Sequence, residues 1–476
     1  MDRLESPQTR CQAGFARGDI TPPVGIYHRL WGAALHERST GVHRPLTATA
    51  LWLAPEGDGA AKLILALDQC LMDVTDQAAI RERVGRVAAL RPDQVHVTMS
   101  HTHASGWMSR TRAGFPGGEL IEPYLKRVGH VCADLARSAV QNARPATIVY
   151  GAARCALAGH RDFFDEERKQ FVCGFHPEGP ADDTVLVGRV TADAGEMLGT
   201  LVNYACHPTT LAWENTLLSP DFVGAMREVI EQHTGAPCLF LQGASGDLGP
   251  RDGFVGNPAV ADRNGRQLGF AALSGLESLP PPGTAFEYVG PVVSGATLGI
   301  WKHVPVDADT ASRHANWLWK TFVVDLLYRP DLPTIDGTRA ELAKWQADED
   351  AARTANDLER MRDGHAHVER MNRQLARLSA LPAGRTYPYP VTIGRVGTAL
   401  WVLVPGELYQ VFQTTLRAQF PAAAIVVATL TDDWQPGYLP TASTYGQGIY
   451  QETIAVLAAG CLELLIESVA RELTAL

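Results

Sequence analysis

Val95-His96-Val97-Thr98-Met99-Ser100-His101-Thr102-His103-Ala104-Ser105-Gly106 is the stretch from which the fold can be read. Its first five residues alternate apolar and polar, as a half-buried strand does. Two imidazoles spaced i, i+2 follow at once. In an extended chain such residues point to the same side, so His101 and His103 can reach one site together. Gly106 lets the chain turn away just beyond. Neutral imidazole is the commonest metal ligand, although an HxH pair by itself is also met as satisfied or solvated histidines.

Working outward, the same pattern recurs. Residues 61–67 form a buried-strand run that ends at Asp68, and residues 199–206 run into His207-Pro208. Residues 237–242 open into the glycine-rich loop 243–251, residues 399–404 into Pro405-Gly406-Glu407, and residues 424–430 into a loop that reaches Tyr438. Stretches 76–90, 119–143 and 222–234 read as helices between them. Strand after strand therefore ends in a residue able to bind a ligand or do chemistry. In sheets built from such units ligands lie outside the carboxyl ends of the strands. This predicts an α/β or α+β fold, with a mixed central sheet, surrounding helices and one composite site at the strand ends. No low-complexity linker or internal repeat is visible, so residues 1–476 are expected to form a single catalytic unit.

Composition narrows the function. With 476 residues the chain can bury a large core. A formal net charge of −10 and the lack of a polybasic stripe argue against a nucleic-acid partner. The N-terminus carries charges and Pro7 where a signal peptide needs an apolar core, and no apolar run is long enough to span a bilayer. A cytoplasmic protein is expected. The eight cysteines are scattered without a CxxC pair, which points to small buried hydrophobes rather than disulfides or a thiolate zinc site.

Three stretches stand outside the pattern. Residues 300–333, with Trp301, Trp317, Trp319 and Phe322, read as an aromatic-rich insertion that lines or covers an apolar pocket, packs as core, or meets a partner, another copy or a membrane surface. Residues 338–379 read as a solvated helical hairpin broken near Gly364, with no chemistry assigned. Residues 451–474 read as one long helix.

The short motifs, in order, resemble the catalytic domain of the neutral/alkaline, non-lysosomal ceramidase family. They are Gly18-Asp19-Ile20-Thr21-Pro22-Pro23-Val24-Gly25, Gly41-Val42-His43, residues 101–106, Asn203-Tyr204-Ala205-Cys206-His207-Pro208, Gly246-Asp247-Leu248-Gly249-Pro250-Arg251, Val404-Pro405-Gly406-Glu407, and Tyr438 followed by Tyr445 and Tyr450. The resemblance implies one Zn2+ per chain, held by His101, His207, Glu407 and Tyr438. It also implies that His103, Arg161 and Tyr450 are the catalytic and oxyanion-binding groups. The residue types agree with this: two imidazoles and a carboxylate form a known catalytic zinc triad, and zinc-bound water attacks amides at neutral pH. Gly246, Asp247 and Asp68 are expected to support the site, with Asp247 orienting a ligand histidine.

Two departures from the family bear on substrate. Gly249 stands where ceramidases carry a serine sometimes assigned as a nucleophile, so attack by water is expected rather than a serine-acyl route. The chain also ends without the family's immunoglobulin-like C-terminal domain and starts without its secretion signal, which argues against a membrane-derived ceramide. The expectation is a zinc-dependent hydrolase cleaving a linear, N-acyl type amide of a small molecule, with an apolar acyl part. The alternatives are an esterase or cyclic amidase using the same centre, or a non-catalytic metal-binding relative.

Overall fold

Most strand runs bury both faces, and what each face meets explains the architecture. The computed structural model describes residues 2–476. Eight strands form one mixed sheet: Gln8–Asp19 (β1), Thr47–Ala54 (β2), Lys62–Leu67 (β3), Val95–Met99 (β4), Arg144–Arg154 (β5), Thr184–Ala192 (β6), Met197–Tyr204 (β7) and Cys238–Gln242 (β8). Their order is β8-β7-β6-β5-β1-β2-β3-β4. The two edge pairs, β7 with β8 and β3 with β4, are parallel, and the pairs between them are antiparallel. Four helices accompany this sheet: Val74–Ala88 (α1), Ile121–Gln141 (α2), Phe222–Thr234 (α3) and Pro258–Glu277 (α4). Parallel neighbours need a crossover, and α1 supplies it from β3 to β4 as α3 does from β7 to β8.

Alternation then sorts the side chains. Leu63, Leu65, Val95 and Val97 face α1 and α2, while Val187, Val202 and Phe240 face α3 and α4. The opposite face, with Ile64, Leu201 and Leu239, meets Trp401, Leu403 and Val426 of a second sheet. That sheet has the order Trp317–Leu327 (β9), Thr386–Val396 (β10), Ala399–Leu403 (β11), Ala424–Ala428 (β12), with β11 and β12 parallel. Its far side, with Leu400, Val402, Ile425 and Val427, is covered by two of the four longer C-terminal helices. These longer helices are Ile335–Thr354 (α5), Leu358–Ala380 (α6), Val411–Gln419 (α7) and Cys461–Ala475 (α8), and α7 and α8 form the cover. The result is a helix–sheet–sheet–helix stack. The mixed α/β class is as read from the sequence; the second sheet is an addition, because a strand buried on both faces does not reveal whether helix or sheet covers it. Among the described residues no helix is long and apolar enough to cross a membrane.

Three segments differ from their reading. Residues 300–333 are divided: 296–305 is the return strand of a hairpin with Thr284–Ser294, 308–314 is a short helix, and β9 is a sheet edge whose Trp319 packs 6.3 Å from Trp401. The hairpin α5–α6 turns at 355–357, where Asn356 is left-handed and the Asp357 side chain caps α6. Gly364 lies inside α6, where an added Cβ would approach the Glu349 backbone to 3.3 Å, so it serves close helix contact and not a break. Residues 451–474 are two helices. Of the chain between them, 456–458 is tied by hydrogen bonds to Leu327 and Arg329, contacts that helical periodicity cannot announce, and 459–460 turns into the last helix.

Candidate metal centre

The parallel pairs β3–β4, β7–β8 and β11–β12 send their carboxyl ends to one place, and the loops beyond them deliver the site. His101 Nε2 and His207 Nε2 lie 3.0 Å apart, and Glu407 Oε2 is 3.3 Å from the first and 3.2 Å from the second. All three groups are buried or nearly so, at 2, 1 and 10% side-chain exposure. The Nδ1 of His101 faces the Cys70 carbonyl at 3.1 Å, and that of His207 faces the Ser245 carbonyl at 3.0 Å. A carbonyl only accepts, so each Nδ1 carries the proton and each Nε2 keeps a lone pair. Two imidazole Nε2 atoms and a carboxylate oxygen therefore converge, and Glu407 Oε2 is buried without a hydrogen-bond donor. Such a set fits a divalent cation.

Charge follows the same geometry. Burial works to raise the Glu407 carboxyl, but the His101 and His207 imidazoles outweigh it and hold it well below the usual carboxylate range. Burial, with help from Arg161 and His101, pushes His207 down to about 4, so it is neutral and able to ligate at physiological pH. Burial works to lower His101 too, but Cys70 and Glu407 outweigh it and favour the charged ring, so a cation would bind there by displacing a proton.

His103 joins the cluster by a route different from the one read in the sequence. The strand ends at Met99, His101 is left-handed with φ +67°, and His103 opens a 3-10 turn. The turn, not the pleat of a strand, brings His103 Nε2 to 3.4 Å from His101 Nε2. A non-glycine residue in this region costs about 1 kcal/mol or more, which the surrounding contacts must offset. Burial, with the neighbouring His101 and His207, keeps His103 neutral.

The rest of the set lies around this core. The Tyr438 hydroxyl is 3.4 Å from His207 Nε2. Arg161 stacks on the Tyr438 ring at 5.1 Å and donates to the Gly246 carbonyl, so it acts on the centre through Tyr438. Tyr450 is half-exposed at the rim, its ring 6.1 Å from that of Tyr438. Asp247 does not orient a histidine ligand. Its carboxylate accepts from the Gln410 backbone and side-chain amides at 2.8 and 2.9 Å, and the Ser245 carbonyl does the orienting. Asp68 is engaged by Arg227 and by the Thr47 amide at 2.9 Å, which anchors α3 beneath the site.

Gly246 has a steric role. An added Cβ would lie 2.6 Å from the Glu407 carbonyl and 2.9 Å from that of Leu408, both backbone atoms. Gly246→Ala is expected to cost about 1–3 kcal/mol by overpacking. It should also loosen metal retention by displacing Glu407, and urea denaturation with metal analysis would read both.

Other contributors were not read from the sequence. Cys70 Sγ approaches His101 Nδ1 to 3.7 Å. The hairpin assigned no chemistry sends Arg373 and Arg377 of α6 into the wall of the cavity over the centre. Glu369 of the same helix is held by Arg112 through two bonds of 2.7 and 2.9 Å and by Arg373 at 2.8 Å. The signal was present as arginines and a glutamate at i, i+4 spacing, but on a highly charged helix that spacing equally describes a solvated face.

Two stacked sheets with helices outside, and a buried His, His, Glu set at converging strand ends, define an α/β protein with a candidate metal centre. No protein-family model matches the chain. Among solved structures it is similar to the neutral ceramidase from Pseudomonas aeruginosa, with a TM-score of 0.64 and 16% identity over 98% of this chain and 74% of that one. A ceramidase complexed with C2 gives a TM-score of 0.62 and 16% identity over 97% and 74%. The chain has the neutral ceramidase fold.

Proposed function

We propose that this chain is a zinc-dependent hydrolase of linear N-acyl amides, working as one catalytic unit. One observation carries the reading: two imidazole lone pairs and an unsatisfied carboxylate oxygen meet within 3.0–3.3 Å of one another in a buried site. His101, His207 and Glu407 hold the ion, and the Tyr438 phenol lies close enough to complete the set. Zinc in such a site supplies Lewis acidity and a water of lowered pKa.

The remaining roles belong to the side chains. Neutral His103 takes the proton of the attacking water and passes it to the amine nitrogen as the C–N bond breaks. Arg161 positions Tyr438, and Tyr450 at the rim places its hydroxyl where negative charge develops on the carbonyl oxygen. The similarity in fold to ceramidases supports the choice of an amide over other carbonyl substrates.

The test is a panel of N-acyl amides and matched esters, run on zinc-loaded, chelator-treated and zinc-restored protein. Amide hydrolysis that vanishes with the chelator and returns with zinc is the expected result. Turnover of esters alone would replace the reading with an esterase. Bound zinc without any turnover would favour a non-catalytic relative.

A further inference from the structure

The helix α6 presents two arginines one turn apart to the cavity over the metal centre, and their situations differ. Arg373 is committed: its Nε donates to Glu369 Oε1 at 2.8 Å, and a terminal nitrogen donates to the Leu30 carbonyl. Arg377 is free. It is 9% exposed, its Nε is buried without a hydrogen-bond partner, and no carboxylate pairs with it among the described residues. A guanidinium keeps its charge under all ordinary conditions, so a buried and unpaired one is costly unless an anion arrives.

The cavity shows where that anion would be. Its volume is about 60 Å³, with His101, His103, Glu407 and Tyr438 on one side and Arg377 on another. Through Trp107 and Trp434 it adjoins a groove of about 520 Å³, largely apolar, which Phe115, Leu375 and Ala376 also wall. Through Arg377 and Ile454 it adjoins a recess of about 240 Å³ on the other side. In that recess Arg329 is paired with Asp331, and the Glu452 carboxylate accepts from the Gly446 and Gly448 amides. An amide at the metal centre would thus have an apolar exit for its acyl chain and, for its amine portion, one of mixed charge that shares Arg377 with the cavity.

Resting on the amide-hydrolase reading, we propose that the substrate is an N-acyl amino acid, its acyl chain in the Trp107–Trp434 groove and its carboxylate paired with Arg377. A planar carboxylate matches the fork of a single guanidinium. A phosphate dianion would call on a second free cation, and Arg373 is already engaged. A neutral amino alcohol of the ceramide type would leave Arg377 buried and unpaired, and a site built to pair a group rejects the analogue that lacks it. The reaction is ordinary hydrolysis: water adds its oxygen to the acyl carbon, the C–N bond breaks, and the amino acid leaves with the proton on its nitrogen.

The test compares N-dodecanoylglycine, N-dodecanoylethanolamine and the O-phosphate of the latter. Binding is followed by calorimetry to zinc-loaded and to metal-free protein, and turnover is followed on the loaded form. The acylglycine is expected to be preferred over the ethanolamide by roughly 100-fold in kcat/KM and to bind metal-free protein at least about tenfold tighter. Arg377→Met should collapse both ratios towards one, chiefly through KM, and Arg377→Lys should restore part of them. The comparison of ligands on the native protein needs no variant, so a misfolded variant would not blunt it. Preference for the ethanolamide or the phosphate, or a carboxylate preference that survives Arg377→Met, would overturn the proposal. Arg377-dependent binding of the acylglycine without turnover of any amide would sustain the anion site and refute the hydrolase reading. Turnover of all amides without a carboxylate preference would do the reverse.

Discussion

His207→Ala is expected to empty the metal centre, with zinc falling from about one ion per chain to a small fraction of that in elemental analysis and amide hydrolysis falling by roughly 1,000-fold or more. The size follows from the geometry. His207 Nε2 is within 3.0–3.4 Å of the His101, Glu407 and Tyr438 atoms proposed to share the ion, so its loss leaves one imidazole, one carboxylate and a phenol facing a cavity. Changes to residues that only orient metal ligands already cost about 10–100-fold; a ligand itself must cost more. The native protein should also melt higher with zinc, since a ligand at 1,000 times its Kd adds about 4 kcal/mol. The variant should lose that increment while retaining its fold, because its neighbours Cys206 and Pro208 stay in place and the Ser245 carbonyl is freed of one donor only. Equal zinc in both proteins would put the metal elsewhere and remove the ground for the mechanism.

The residues that converge at the candidate centre were legible because each follows a strand whose apolar run is unmistakable. Val97, Val202, Val402 and Val427 lie in such runs, and the polar residues beyond them are the exceptions to the pattern. The resemblance in motifs then chose among those exceptions. What stayed hidden depends on tertiary contact. The left-handed turn at His101 is imposed by its surroundings, and a histidine carries no mark of it. That the runs 399–404 and 424–430 belong to a separate sheet stacked on β1–β8 is invisible, because strands buried on both faces do not reveal what covers them. The break at 455–460 is set by pairing with residues 327–329, far away in sequence. The α5–α6 hairpin was misread for the most instructive reason: Arg373 and Arg377 belong to the same charged helix as many solvent-facing side chains, and only the packed structure separates them.

That hairpin leads to the second large effect. Glu369→Ala is expected to destabilise the protein by about 3–5 kcal/mol, the cost of breaking a buried ion pair from one side. Glu369 is 4% exposed and Arg112 3%, and their two parallel bonds of 2.7 and 2.9 Å tie α6 to the turn after Trp107. Arg373 leans on the same carboxylate, so its removal would strand two cations, both over Trp107, Arg112 at 4.3 Å and Arg373 at 5.7 Å. Burial works to raise the Glu369 carboxyl, but Arg373 and Arg112 outweigh it and hold it below the ordinary glutamate value. A depressed carboxyl stabilises the fold fully above its unfolded pKa, near 4.5, and the contribution is lost as pH falls through the lower folded value. The stability difference between the native protein and Glu369→Ala should therefore be full at pH 7 and shrink below about pH 4.5. Urea unfolding at a series of pH values reads it directly. A difference under about 1 kcal/mol at pH 7 would mean that the pair behaves as an exposed surface bridge, and that α6 is not locked against the centre whose wall it forms.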